Sequence, residues 1–372
     1  MKHLSEEEKI RLQRLALRRA ERNILRSAKN KDKSVVVARL SHIKKMRYRA
    51  FSRPIPSLEV PSVLSLSTNY DAVVRIAQDL GFITLSQRKP AGINFSNVQS
   101  VGPAAALYLA AEIYRCRYFQ TKHLRVIGMH PKDDIIARHL MEMGFNSLLD
   151  IKDPETSAGS SAIQYIKYKT SKIVSGSLAV ELREALESGS SAIPPKIRQA
   201  IYASLTEAMS NVIHHAYPLL QGRPMHVMRG RWWMAGSIDH QKNELMIIFY
   251  DQGVGIPATL PIKHPAEIWR KILSNLGLRA NDGTMIKAAT LLGRTRTEEP
   301  NRGRGLQDVI EFIKICEGGE LRILSNRGEY IYRNDGSEHI QNHRRNLGGT
   351  LIQWRVFRQP MTSGDDDDIK HH

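Results

Sequence analysis

The stretch from Ser204 to Tyr217 constrains this chain more than any other. It reads Ser-Leu-Thr-Glu-Ala-Met-Ser-Asn-Val-Ile-His-His-Ala-Tyr. Glu207, Asn211 and His215 recur every fourth residue, so a helix sets them on one face, drifting slowly around it. Leu205, Ala208, Met209, Val212, Ile213 and Ala216 supply the apolar surface that carries this polar row. Taken alone, the pattern describes any amphipathic helix with a solvated stripe. Two later segments narrow it. The apolar run Leu245–Tyr250 reads as a strand and ends in Asp251-Gln-Gly-Val-Gly-Ile256, a carboxylate followed by a glycine turn. Gly303-Arg-Gly-Leu306 then opens a helix-like stretch, Leu306–Ile315.

A helical Glu-x-x-x-Asn, a post-strand Asp-x-Gly-x-Gly and a pre-helix Gly-x-Gly, in that order, resemble the GHKL ATPase superfamily. That superfamily holds the ATP-binding domains of histidine kinases, type II topoisomerases, mismatch-repair proteins, heat-shock chaperones and anti-sigma-factor serine kinases. The helix ending His215-Ala216-Tyr217 is most similar to the anti-sigma-factor branch. The resemblance implies an α/β chain whose C-terminal part, residues 193–360, is an α+β two-layer sandwich binding ATP and Mg²⁺. Asn211 offers a neutral oxygen to Mg²⁺, which prefers hard oxygen ligands and keeps several waters. Asp251 accepts from the adenine amino group. Gly253 and Gly255 let backbone approach the nucleotide, and Gly303 and Gly305 do so near the phosphates, where a helix N-terminus favours anions. His215, Ile256, Arg302, Arg304 and Leu306 join the nucleotide-binding set, and Thr350, ahead of the strand Leu351–Phe357, matches a late threonine near the base. Glu207 is the catalytic carboxylate, taking the proton of an attacking water or of a target hydroxyl. The family places a mobile lid between Ile256 and Gly303; here it carries helical stretches at Ala266–Leu276 and Thr284–Leu292. Arg294, Arg296, Arg302 and Arg304 are its candidates for the terminal phosphate.

Charge sets the N-terminus apart. Residues 1–53 hold 17 Lys or Arg against 5 Asp or Glu, twelve of the net +18 of the 372-residue chain. Ser5 with Glu8 is a capping box, and Ile10, Leu17 and Ile24 repeat at seven among arginines, so residues 1–55 read as a basic helical arm. Such an arm suits nucleic-acid phosphates, or packs its apolar stripe on the body or on a second copy in a homodimer. Pro54, Pro56 and Pro61 mark a linker.

Residues 56–155 alternate in type. Helices are expected at Tyr70–Leu80, Pro103–Tyr118 and Asp133–Met143, the last closed by Gly144. Short strands are expected at Ile93–Ser96, Leu124–Gly128 and Leu148–Ile151, with Gly81–Thr84 turning into an extended piece. Alternating strands and helices indicate an α/β layered domain. The run Ile-Asn-Phe-Ser-Asn-Val-x-x-Val-Gly-Pro-Ala-Ala-Ala-Leu resembles the STAS domains of anti-sigma-factor antagonists. Those domains carry a phosphoacceptor serine before the long helix. Here Pro103 stands in that turn and Ser100 lies two or three residues early, so the domain is expected to be a structural module or one that docks a protein partner, rather than a phosphoacceptor.

Residues 156–192 are a joining region with small-residue linkers, an edge-strand pattern at Ile163–Ile173 and a helix at Leu178–Glu187. Residues 361–372 form an acidic, His-ended tail left out of the fold reasoning. No apolar run approaches the roughly 20 residues of a membrane span. Cys116 and Cys316 have no metal spacing and suit buried thiols in a reducing cytoplasm, with no membrane partner. Three functions follow: an ATP-hydrolysing regulatory protein whose lid acts on a partner, an anti-sigma-type serine/threonine kinase, or a nucleic-acid-associated ATPase using the arm.

Overall fold

The structure, a computed structural model, describes residues 55–119, 126–149, 151–153, 162–175, 195–218, 226–292, 306–316 and 318–357, with Val180 and scattered residues before 42. Most of the basic arm, nearly all of Leu178–Glu187 and the small-residue linkers therefore lie outside the described residues. The chain divides into two compact units, Met1–Pro56 and Ser57–His372. Every element below belongs to the second.

Its first half runs β1 (Ser57–Glu59), β2 (Val63–Leu64), α1 (Tyr70–Gly81), β3 (Ala91–Asn94), β4 (Ser100–Val101), α2 (Pro103–Phe119), β5 (Val126–Met129), α3 (Asp134–Met143) and α4 (Phe145–Leu149). Its second half runs β6 (Ile163–Ser171), α5 (Pro195–His214), β7 (Trp232–Asp239), β8 (Glu244–Asp251), α6 (Ile256–Lys263), α7 (Ala266–Asn275), α8 (Asp282–Leu292), α9 (Leu306–Lys314), β9 (Gly319–Ser325), β10 (Gly328–Arg333), β11 (Glu338–Asn342) and β12 (Thr350–Phe357). Mixed helix and sheet is thus the fold class. No helix among the described residues is long and apolar enough to cross a membrane.

A seven-stranded antiparallel sheet, ordered β11-β10-β9-β12-β8-β7-β6, is the frame. Side chains alternate across a strand. On β8, Leu245, Ile247 and Phe249 face one core, while Ile248 and Tyr250 face another. Trp232, Met234 and Ile238 of β7 share the first side, and Trp233 and Ala235 the second. With both faces apolar, the sheet needs a layer on each. On the first, α5 packs Ile201, Leu205, Ala208, Met209 and Val212 beside Val309, Phe312 and Ile313 of α9.

The second face is covered by α2. From Ala104 to Ile113 every residue of α2 is buried, because the sheet lies on one side and α1 with the small parallel sheet β1-β3-β5 on the other. Small alanines permit that double approach, and Pro103 opens the helix where its missing N–H is not needed. A two-layer sandwich therefore describes only one face; the elements read as STAS-like contribute the third layer. At the sheet's edge, β6 is the strand expected at Ile163–Ile173.

A buried polar knot joins the layers. Arg322 of β9 donates to Glu329 of β10, to Ser67 Oγ at 2.8 Å and to the Leu66 carbonyl at 2.9 Å. His343 Nε2 lies 2.6 Å from Glu329, and its ring stacks on Tyr70 at 3.6 Å.

Several boundaries match the sequence reading, and Asp133 caps α3 by accepting from the Ile135 and Ile136 amides, with Gly144 left-handed at its end. Two expectations are corrected. Leu148–Ile151 is not a strand: Phe145, Leu148 and Leu149 are spaced i, i+3, i+4 and bury one side of the short helix α4. Gly81–Thr84 does not become extended but continues α1 into a wide helical turn over Phe82–Ser86, where Thr84 Oγ1 donates to the Leu80 carbonyl at 2.7 Å.

Candidate functional site

Three strand ends come level. Asp251 pairs with Thr350, and Thr350 with Ser325. Each lies two residues from an apolar side chain on the α5 side of the sheet, so all three face that layer. Asp251 is 5 % exposed, and its Oδ1 accepts from the Gly253 amide at 2.7 Å. Burial pushes its carboxyl up to about 7, against a downward pull from the Gly253 amide. Ser325 Oγ accepts from the Ile256 amide at 2.8 Å and lies 3.0 Å from Thr350 Oγ1 and 3.1 Å from the Gly349 carbonyl. This hydroxyl ties the start of α6 to the sheet.

Helix α5 brings the polar row. Its apolar positions pack on the sheet, which leaves Glu207, Asn211 and His215 turned along the flank. Asn211 Nδ2 donates to Glu207 Oε1 at 2.9 Å. The reverse amide orientation would set two oxygens together, so the Asn211 oxygen is the atom left for a ligand. His215 sits at the exposed end of the row. Partial burial, then Lys263 and His214, hold its imidazole below the ordinary value.

The glycine turn is clasped by the end of α5. Val254 N donates to the Ala216 carbonyl at 2.9 Å, and Gln252 N to Tyr217 Oη at 3.2 Å. A Cβ on Gly253 would stand 2.4 Å from that same carbonyl. Gly255 has φ +84, and a Cβ there would meet the Asn326 amide at 2.8 Å. The spacing of these glycines thus answers to close backbone approach at one position and left-handed φ at the other.

These parts enclose a cavity of about 440 Å³. Glu207, Asn211, His215, Asp251, Gly255, Ile256, Leu306 and Thr350 all line it. Gly253 does not; it holds the turn from behind. Arg302, Gly303, Arg304 and Gly305, like Arg294 and Arg296, lie outside the described residues. Across the cavity stand α6 and α8, which with α7 share a small core of Leu260, Trp269, Leu273, Ala288 and Leu292.

Two ionisable lining residues, Lys263 and His264, are not among the residues the sequence singles out. Lys263, in the last turn of α6, is drawn down to about 8 by burial, while the Glu207 carboxylate pulls the other way. His264 follows it. Pro257 and Pro261 conceal α6 as a helix in the sequence, so its last turn gave no signal. Among the described residues no group of three His, Cys, Asp or Glu side chains could hold a metal ion. No protein-family model matches the chain, and no curated protein matches it.

Proposed function

We propose that this cavity takes MgATP, as the GHKL resemblance implies, and that the chain is a nucleotide-operated regulatory protein that hydrolyses ATP. One observation carries the reading: a helical row, a post-strand turn and a late threonine, spread from Glu207 to Thr350 in sequence, line a single cavity of about 440 Å³. That volume falls in the range of roughly 300–1,000 Å³ usual for small-molecule sites. Asp251 accepts from the adenine amino group, with Thr350 beside it. The Asn211 oxygen suits Mg²⁺, whose remaining ligands come from phosphate and water. Bound there, the ion offsets charge on the triphosphate. Glu207 accepts the proton of the attacking water, and the Asn211 N–H bonded to Oε1 fixes the direction of its carboxylate. Lys263 adds a cation on the α6 side of the cavity, within electrostatic reach of Glu207.

The test sets Asn211 against Glu207. Asn211→Ala should weaken MgATP binding and remove most of the tightening by Mg²⁺. Glu207→Ala should keep ATP bound and slow turnover by about 10²–10⁴. Calorimetry and phosphate release on both variants decide it; normal turnover in Glu207→Ala with parental MgATP affinity in Asn211→Ala sinks the assignment. Label from γ-labelled ATP recovered on a protein serine, rather than as phosphate, moves the reading to a serine kinase.

A further inference from the structure

Two cavities flank the Asp251–Gly255 turn, because side chains alternate along β8. Phe249 and Asp251 line the first; Tyr250 and Gln252 line a second of about 460 Å³. Charge divides them. In the second, Arg115 donates twice to Glu112 and once to the His226 carbonyl, so that cation is already matched. In the first, Lys263 is not. It lines the cavity and keeps an exposed surface, and among the described residues it makes no hydrogen bond or ion pair.

Helix α6 runs the length of this first cavity. Its opening amide, Ile256 N, donates to Ser325 Oγ, which lies 3.0 Å from Thr350 Oγ1 at the strand ends. Its last residue, Lys263, interacts electrostatically with Glu207 and His215 of α5. The rise over Ile256–Lys263 is roughly 10 Å. That is close to the reach from a purine ring to the terminal phosphate of a nucleoside triphosphate. Thr259, one turn before Lys263, is no rival for an incoming oxygen, since its Oγ1 donates to the Ile256 carbonyl at 3.1 Å. An ammonium offers three donors and no acceptor, so an uncommitted one on a cavity wall selects for an anion.

We propose that Lys263 binds the terminal phosphate of MgATP and makes the first cavity discriminate triphosphate from diphosphate. The assignment rests on the ATP reading and adds to it a residue outside every motif that carries the resemblance. With the base at Asp251, the third phosphate reaches the end of the cavity shared by Lys263 and Glu207. There the ammonium offsets the Glu207 carboxylate, which would otherwise repel that phosphate. A diphosphate stops one group short and leaves the ammonium unpaired.

Calorimetry on the full chain compares MgATP with MgADP for the parent, Lys263→Met and Lys271→Met. Methionine keeps an apolar stem and removes the charge; Lys263 is exposed, so the fold does not depend on it. Lys271 of α7 is exposed and off the cavity wall, so its variant makes the same change in net charge without touching the site. Lys263→Met is expected to weaken MgATP about tenfold or more and MgADP less than about threefold, while Lys271→Met leaves both near the parent. An ATP-to-ADP affinity ratio unchanged in Lys263→Met overturns the proposal, whether both nucleotides weaken alike or neither does. An equal change of that ratio in Lys271→Met also overturns it, because the effect is then one of overall charge. A parent that binds neither nucleotide is a separate result: it removes the ATP reading, and this assignment with it.

Discussion

Asp251→Asn separates what the first cavity needs from what the fold tolerates. Burial raises the Asp251 carboxyl from 3.8 to about 7. Between those values the folded chain keeps a proton that the unfolded chain has released. Stability conferred by the neutral form is therefore full below about 4, falls as pH rises to about 7, and is constant above. Roughly three pH units at 1.36 kcal/mol each make the ionised carboxylate cost the fold about 4 kcal/mol at pH 8. Asparagine keeps the oxygen that accepts from Gly253 N and sheds the charge. Urea denaturation should thus find Asp251→Asn more stable than the parent at pH 8. The advantage should shrink by about 2 kcal/mol between pH 8 and pH 5.5, as the parent takes up its proton. The same change should abolish adenine-nucleotide binding, because an amide N–H would then face the adenine amino group. Parental affinity should weaken below about pH 7, where the acceptor is lost. A stability difference that does not vary with pH would refute the argument from burial. Retained ATP affinity would refute the adenine assignment.

Other positions give sharper yes-or-no outcomes. Gly349 has φ +100, and a Cβ there would stand 1.9 Å from the Asp251 carbonyl, so Gly349→Ala should cost about 2 kcal/mol or more; an unchanged denaturation midpoint would contradict this. Glu329→Gln leaves Arg322, 3 % exposed, without its counter-ion, and should cost about 3–5 kcal/mol at pH 7. Burial pushes the Glu329 carboxyl up, but His343 and Arg322 outweigh it and hold the group down to about 2, so the parent should lose this contribution as pH falls from about 4.5 to 2 while the variant does not; equal stability at pH 7 would count against the knot. Incubation with MgATP should put no phosphate on Ser96 or Ser100, since Pro103 opens α2; intact mass spectrometry mapping one phosphate to either serine would overturn that.

Much of the site was legible because its signals are local. The row of Glu207, Asn211 and His215, the apolar run of β8 and the Asp-x-Gly-x-Gly turn each announce themselves within a dozen residues. The strands β12 and β6 are also legible as apolar or alternating runs, but β7, β9, β10 and β11 are not. β9 and β10 interrupt their alternation with Arg322 and Glu329, charges that are buried only because they meet each other and the Leu66–Tyr70 segment. Their hairpin turns at Asn326-Arg327, with Asn326 at φ +54, and lacks the Asn-Gly pair that marks such turns. Ser325 was missed for that reason. The strand expected at Leu148–Ile151 fails because the pair Leu148-Leu149 suits a strand or a helical turn equally, and only the packing of Phe145 and Leu148 decides.

The alternation of β8 explains why the region before residue 155 cannot be treated as an appendage. A strand with Ile247 and Phe249 on one side and Ile248 and Tyr250 on the other needs two covers. α5 is one and α2 the other. Each fully buried side chain of this size contributes about 1.5–3 kcal/mol, so exposing Trp233, Ile248, Tyr250, Leu324 and Leu351 together would cost several times that. Loss of α2 should therefore unsettle the sheet end that carries Asp251, and with it the first cavity. The same packing gives α2 a route to the turn: Glu112 reaches Gln252, the residue after Asp251. A partner that displaced α2 would act on the first cavity through the sheet's far face, without touching α6 or α8 across that cavity.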